Sequence, residues 1–413
     1  MMDVLSENGV PKDQQSRITA EVRRRFQEHS GEEVADDLAR RIIEKTVMDL
    51  SLPEETDFRQ KKLLAEAVYN VTRKELDILQ PLAEDDEINE IMVNGPDRVF
   101  VERSGRMEPV PIRFESREHL EELIRRIAAG VHREINDIQP IVDARLEDGS
   151  RVNAVYSNVA VNGPILTIRK FPKRTRSMEE LIQMGSITRE AAGFLKTLVE
   201  TGHNIFISGG TSSGKTTFLN TLSEYIPGRE RVVVIEDSCE LQMDRIDNLV
   251  RLETRNANSQ GKGAVSIRQL IRTAMRMRPD RIIVGEVRGA EALDMLQALN
   301  SGHEGCMSTG HSNSAQAMMY RLETMVLTAE NFPLDAIRKQ IVSAIDLVVH
   351  LGRFPDLSRK VIEISEVTAG EGGEIRMNPL FLLGDEGLER TENPLQRRDK
   401  LRLRKWGEEH DIF

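Results

Sequence analysis

The 413-residue chain carries 57 basic against 68 acidic residues, a net charge of −11, with 39% hydrophobic and 30% charged residues. That length holds two or three domains, and the balance is that of a charge-covered globular protein. The acid excess argues against nucleic acid as an obligatory partner, and no apolar run is long enough to span a bilayer. The polar start of the chain reads as no signal peptide, so membrane contact is expected to be peripheral. The two cysteines, Cys239 and Cys306, sit in apolar, strand-like contexts and read as buried thiols suited to a reducing compartment.

Residues 1–78 read as a charged helical extension. Val34, Leu38, Ile42, Ile43, Val47 and Leu50 recur at helical spacing, as do Leu63, Leu64, Ala67 and Val68, and Pro53 separates the two patterns. From residue 79 the texture changes. Ile91-Met92-Val93 is a strand, Asn94-Gly95-Pro96-Asp97 a turn, and Arg98 to Glu102 alternates into a hairpin closed by Ser104-Gly105. A helix with Leu120, Leu123, Ile124, Ile127 and Val131 on one face precedes three strands, Ile141 to Leu146, Arg151 to Tyr156 and Ile165 to Phe171. Together, 79–171 read as an α+β domain with a mostly antiparallel sheet. Residues 172–180, opening Pro172-Lys173-Arg174, read as a linker.

The next domain, 181–369, alternates helices and strands, the signature of a mainly parallel sheet covered on both faces. Its centre is Ile205-Phe206-Ile207 followed by Gly209-Gly210-Thr211-Ser212-Ser213-Gly214-Lys215-Thr216-Thr217. This is a strand, a G-x-x-x-x-G-K-[ST] phosphate-binding loop and a helix. Glycines let backbone N–H groups wrap a polyphosphate, and the helix N-terminus adds a positive end. Lys215 reaches the β/γ-phosphates, and Thr216 supplies a hydroxyl to Mg²⁺. Residues 370–413 read as a polar tail, with Gly370 to Gly373 flexible, Arg397 to Lys405 basic, and Trp406 a local packing anchor.

Two later strands end in acids. Arg231 to Ile235 runs into Glu236-Asp237, which either orient Mg²⁺-bound or catalytic water or simply cap the following turn. Arg281 to Val284 leads through Gly285 to Glu286, a Walker B pattern in which Glu286 accepts a proton from attacking water. Between them, Ser266-x-x-Gln269 opens a helix as a capping box, and most arginines on that helix read as structural. Arg288 is placed to meet a phosphate or a neighbouring subunit. His303 and His311 flank a short strand; His311 reads as a donor or sensor near the γ-phosphate, His303 as a sensor or a structural histidine.

These residues resemble the secretion and pilus-assembly ATPases of type II and type IV systems, most nearly the CpaF-type ATPase of Tad (type IVb) pili. The resemblance rests on four stretches: the loop at Gly209 to Thr216, Ile235-Glu236-Asp237-x-x-Glu240-Leu241, Arg278 to Arg288, and His303 to Ser314 with Arg321-Leu322-Glu323-x-Met325. Upstream, Ile91 to Gly95, Asp143 to Asn153 and Ile168 to Phe171 match the family's N-terminal domain. It implies an α/β fold: a RecA-like P-loop ATPase domain behind an α+β, PAS-like domain and an N-terminal helical extension. It further implies ATP and Mg²⁺ as cofactors, and a homohexameric ring in the cytoplasm, peripheral at the inner face of the membrane. An inner-membrane platform protein is the implied partner, and Arg151 and Arg169 complete the site by reaching the phosphates. Gly310 departs from the pattern, because an apolar residue usually precedes the histidine. The rival expectations are a type IV secretion ATPase exporting DNA or effector protein, a nucleotide-binding scaffold that never cycles, and a DNA translocase.

Overall fold

Apolar residues three and four apart need a common partner, and in the first part of the chain three helices supply it to one another. The computed structural model describes residues 12–28, 35–49, 56–171, 175–255, 257, 262–385 and 387–403. The chain divides into two units, 1–173 and 174–413. In the first, α1 (Lys12–Glu28), α2 (Asp36–Asp49) and α3 (Phe58–Arg73) bury Ile18, Val22, Ile43, Val47, Leu64 and Val68 together. Leu38 and Leu63, from the same sequence stripes, lie exposed on the rim. A capping box starts α3: Asp57 Oδ1 accepts from the Gln60 amide at 2.7 Å, and Gln60 Oε1 from the Asp57 amide at 2.8 Å.

After a 3₁₀ turn, Asp77–Leu79, and the short α4 (Gln80–Glu84), an antiparallel sheet forms in the order β3-β2-β1-β6-β5-β4. Its strands are β1 (Ile88–Asn94), β2 (Val99–Arg103), β3 (Arg106–Val110), β4 (Ile141–Arg145), β5 (Arg151–Val155) and β6 (Ile165–Arg169). Helix α5 (Arg117–Gly130) is capped by Ser116 and buries Leu120, Leu123, Ile124 and Ile127 in the same core as Ile91, Val93, Val152, Leu166 and Ile168.

The second unit begins with α6 (Met178–Gln183), which starts inside the stretch expected to be a linker, and α7 (Arg189–Glu200). Its elements then run β7 (Ile205–Gly209), α8 (Lys215–Ser223), β8 (Arg231–Glu236), β9 (Asn248–Glu253), α9 (Ile267–Ala274), β10 (Arg281–Val284), α10 (Glu291–Leu299) and β11 (Met307–His311). There follow α11 (Ala315–Ala329), α12 (Leu334–Ala344), β12 (Leu347–Arg353), β13 (Arg359–Ala369), β14 (Ile375–Gly384), β15 (Gly387–Arg390) and α13 (Asp399–Leu403). The sheet order is β15-β14-β13-β12-β7-β11-β10-β8-β9, parallel from β12 to β9 and antiparallel from β12 outward to β15.

Strand side chains alternate between faces, so the apolar runs fill two cores at once. Ile205, Ile207, Val232, Val234, Leu347 and Val349 pack with Phe194, Leu198, Phe218 and Leu222 of α7 and α8. Phe206, Val233, Ile235, Ile282, Val284 and Val348 pack on the other face with Ile271, Leu296, Met318, Leu322, Ile337 and Ile341 of α9 to α12. The result is three layers, helix, sheet and helix.

Besides the early start of α6, the structure departs from the sequence reading in four places. β9 is an unforeseen strand, half-buried at the sheet edge, where only neighbouring β8 gives it reason to be extended. The expected polar tail contributes β14 and β15, and Gly370 to Gly373 form the turn between β13 and β14, closed by Gly370 N to Glu374 O at 2.8 Å. Arg397 is not a free basic tail residue but an ion-pair partner of buried Asp346. Cys306 is buried as expected, whereas Cys239 is half-buried in a loop. The expectations for Val34, Leu50, Pro53, the linker residues 172–174 and Trp406 lie outside the described residues. No described helix is long and apolar enough to cross a membrane.

Candidate nucleotide site

In a parallel sheet every strand presents its C-terminal end at the same edge, where the helix N-termini also point. Here β7 ends in Gly209, its neighbour β11 in His311, and the two are register partners. Two strands on, β8 ends in Glu236, and β10 runs through Gly285 into Glu286. Gly285 N donates to Ile235 O at 2.8 Å, and Thr309 Oγ1 to Gly285 O at 2.8 Å, fastening the Glu286 turn to the strands on either side.

The loop needs its glycines. A Cβ on Gly209 would lie 2.5 Å from the Leu351 carbonyl oxygen and 2.6 Å from Ser213 Oγ. Gly214, the residue before α8, has φ +92°, a conformation that side-chain-bearing residues rarely adopt. Ser212 accepts the left-handed region at φ +57°, which turns the loop back on itself. Thr211, Ser212 and Thr217 are exposed, Thr216 half-buried and Ser213 buried.

Lys215 is buried and held by its own loop: Nζ donates to Gly210 O at 2.8 Å and Gly209 O at 3.2 Å, and lies 3.2 Å from His311 Nδ1. An ammonium has no lone pair, so Nδ1 accepts and the ring proton sits on Nε2. That nitrogen faces Glu286 Oε1 at 3.0 Å, an ion-pair distance with poor hydrogen-bond alignment, since Oε1 accepts no hydrogen bond. Arg288 Nη2 donates to Glu286 Oε2 at 2.8 Å. One chain of contacts therefore runs from the phosphate loop through Lys215, His311 and Glu286 to Arg288.

The electrostatics follow this chain. Burial pushes the Lys215 ammonium below its usual pKa, against the pull of Glu286. Burial and the Lys215 charge also lower His311, which stays neutral at pH 7. For Glu286 burial favours the acid, but Arg288, His311 and Lys215 outweigh it and hold the carboxyl below its usual range. It is an ionised base. Glu236 is the opposite case: burial raises its pKa despite two amides, Glu240 N at 2.9 Å and Leu241 N at 3.0 Å, donating to Oε1. Its Oε2 is buried without a partner. Asp237, the residue after β8, is exposed and meets Thr254 Oγ1 at 3.4 Å.

Gly310 has a packing reason. A Cβ there would lie 3.0 Å from Met318 Cε and from Phe206 Cε1, so the neighbours occupy the space an apolar side chain would take. His303 sits before β11, at the strand end opposite His311, with Nδ1 3.0 Å from Ser301 Oγ and 3.2 Å from the Ala298 carbonyl of α10. These partners give the ring a structural position at that end of the strand. Two arginines of α9 are structural as well: Arg268 and Arg272 both pair with buried Asp294, at 2.5 and 2.6 Å. Arg151 and Arg169 are cross-strand partners on β5 and β6 of the first unit, one half-buried and one exposed. The sequence reading missed Thr309 and His350; the signal for His350 was a single polar residue inside the apolar run Leu347 to Leu351.

Fold and strand-edge site define an α/β protein with a phosphate-binding loop at the C-terminal edge of its parallel sheet. The chain belongs to the type II/IV secretion system protein family, whose pattern matches residues 72–374. It is similar to a putative conjugal transfer protein of Mycobacterium tuberculosis, 36% identical over 301 residues, covering 71% of this chain and 85% of that one. It is also similar to the type IV secretion system protein PtlH of Bordetella pertussis, 35% identical over 305 residues and covering 67% and 89%. In fold it matches the ATPase DotB of Yersinia pseudotuberculosis with a TM-score of 0.52 at 19% identity, over 71% of this chain and 78% of that one.

Proposed function

We propose that this protein is a Mg²⁺-dependent ATPase, working as a cytoplasmic homohexamer at the inner face of the membrane, that drives assembly or retraction of a Tad (type IVb) pilus or a related secretion apparatus. One observation carries the reading: Lys215, His311 and Glu286 converge within hydrogen-bonding reach at the end of the phosphate loop. Lys215 exchanges its loop carbonyls for phosphate oxygens. Glu286, ionised and half-buried, takes the proton of an attacking water, and neutral His311 beside it serves as a donor or sensor near the γ-phosphate. The residues fit the metal: Glu236 Oε2 and Ser213 Oγ are buried polar atoms with no partner. Thr216 and the nucleotide would hold Mg²⁺, with Glu236 and Asp237 toward its water shell, and the ion would neutralise charge on the phosphates. Arg151 and Arg169 are the arginines assigned to the terminal phosphate, Arg288 a sensor of Glu286. Residues 79–171 are the PAS-like domain and the parallel sheet the core of a RecA-like domain; motion of the first is coupled to hydrolysis, and a membrane platform protein receives it.

The relatives' names favour a second reading, a type IV secretion ATPase exporting DNA or effector protein; DNA-stimulated turnover at moderate salt would support it over a pilus motor. The basic test is phosphate release from Mg·ATP. Glu286→Gln is expected to keep nucleotide binding and lose roughly 10²- to 10³-fold in kcat, the size of a lost general base. Lys215→Ala is expected to lose both. Wild-type turnover in both variants overturns the proposal.

A further inference from the structure

One buried side chain lies directly beneath the phosphate loop and has no part in the chemistry above. His350 of β12 is the register partner of Ser208, the residue before Gly209. Both are buried, and Ser208 Oγ is 2.9 Å from His350 Nδ1. The ring also feels the backbone of Asn313, two residues past His311, which favours its protonated form. Burial lowers the pKa of the ring and nearby Lys215 adds to the effect, against the opposing pull of Asn313, so the imidazole is neutral. A neutral ring has one acceptor and one donor nitrogen. Nδ1 accepts the Ser208 hydroxyl, which leaves Nε2–H as the donor available to the Asn313 backbone.

A polar group in the middle of an apolar strand destabilises the fold unless it is paired, and a valine or leucine would fill the place more simply. What the histidine adds is a bridge. It joins the strand that leads to Lys215 to the loop that follows His311. One level up, Ser312 N donates to Gly209 O at 3.3 Å, the same carbonyl that Lys215 Nζ reaches. We infer that His350 is a positioning residue: by tying Ser208 to Asn313 it sets the spacing between Lys215 and His311, and through them the aim of Glu286. The inference rests on the ATPase reading and adds to it a residue that touches neither nucleotide nor metal.

The test compares the full-length wild type with His350→Leu, which cannot bridge, and His350→Gln, which again offers one acceptor and one donor. Phosphate release, binding of a non-hydrolysable ATP analogue and Tm are read for each. His350→Leu is expected to lower kcat about 10-fold or more with analogue affinity within about threefold, and His350→Gln to return kcat to within about threefold of wild type. Ser208→Ala deletes only the hydroxyl and serves if the leucine variant does not fold; it is expected to lower kcat in the same manner. Wild-type kcat in His350→Leu or in Ser208→Ala, or a glutamine variant no better than leucine, overturns the inference. A wild type that neither binds nor hydrolyses ATP sinks the ATPase reading instead. The bridge is then judged by amide exchange at Ser312, expected to quicken in His350→Leu and recover in His350→Gln; unchanged exchange overturns it.

Discussion

The two edges of the parallel sheet both bury carboxylates, and they treat them differently. At the N-terminal edge Asp346 is saturated: Oδ2 accepts from Asn204 N at 2.7 Å and Lys400 Nζ at 2.6 Å, Oδ1 from Arg397 Nη1 at 2.9 Å. Glu366 beside it accepts from the Gln396 and Arg397 amides and from Asn378 Nδ2. At the C-terminal edge Glu236 Oε2 and Glu286 Oε1 accept nothing. Buried acids whose two oxygens both accept hold a fold together; acids with a buried oxygen left bare are kept for something else.

The comparison breaks most clearly at Asp346. Asp346→Asn leaves Arg397 and Lys400 without their counter-charge and is expected to destabilise the protein by about 3 kcal/mol, the lower end for a broken buried pair because both cations are partly exposed. Urea unfolding measures it. Burial would raise this carboxyl, but Lys400 and the Asn204 amide hold it below its usual 3.8. A depressed folded pKa stabilises above the ordinary value, so the difference between wild type and variant should shrink as pH falls below about 4. Glu236→Gln should do the reverse. The raised pKa means that ionising Glu236 opposes folding as pH rises through its folded value, so the variant should be at least as stable as wild type at pH 7. Its kcat should nevertheless fall roughly 10- to 100-fold in the phosphate-release assay. A Glu236→Gln that unfolds like Asp346→Asn would erase the distinction between the edges. The smallest effect belongs to neither edge: Ser266→Ala removes the capping box of α9 and should cost about 1 kcal/mol in thermal or urea unfolding, with kcat unchanged.

What the sequence disclosed follows the range of the forces involved. The phosphate loop, the strand-end acids and the Ser266 cap are local patterns, and each lies where the spacing predicted. β9 was hidden because half its residues face solvent and its extended form depends on β8. β14 and β15 read as a polar tail because β14 is held extended by pairing with β13, and β15 by pairing with β14. The roles of His350 and Asp346 depend on partners up to 142 residues away, which no window along the chain can bring together. His303 shares a motif with His311 but stands before β11, whereas His311 ends it.

Asn204, at the foot of the strand that carries the phosphate loop, is clamped through Asp346 to Lys400. During synthesis, then, the phosphate loop leaves the ribosome long before its supporting strand can be locked from below. A nascent polypeptide that has not yet reached residue 400 lacks that lock, and a product cut short before that point should be recognised by quality control as unfinished rather than persist as a nucleotide-binding fragment.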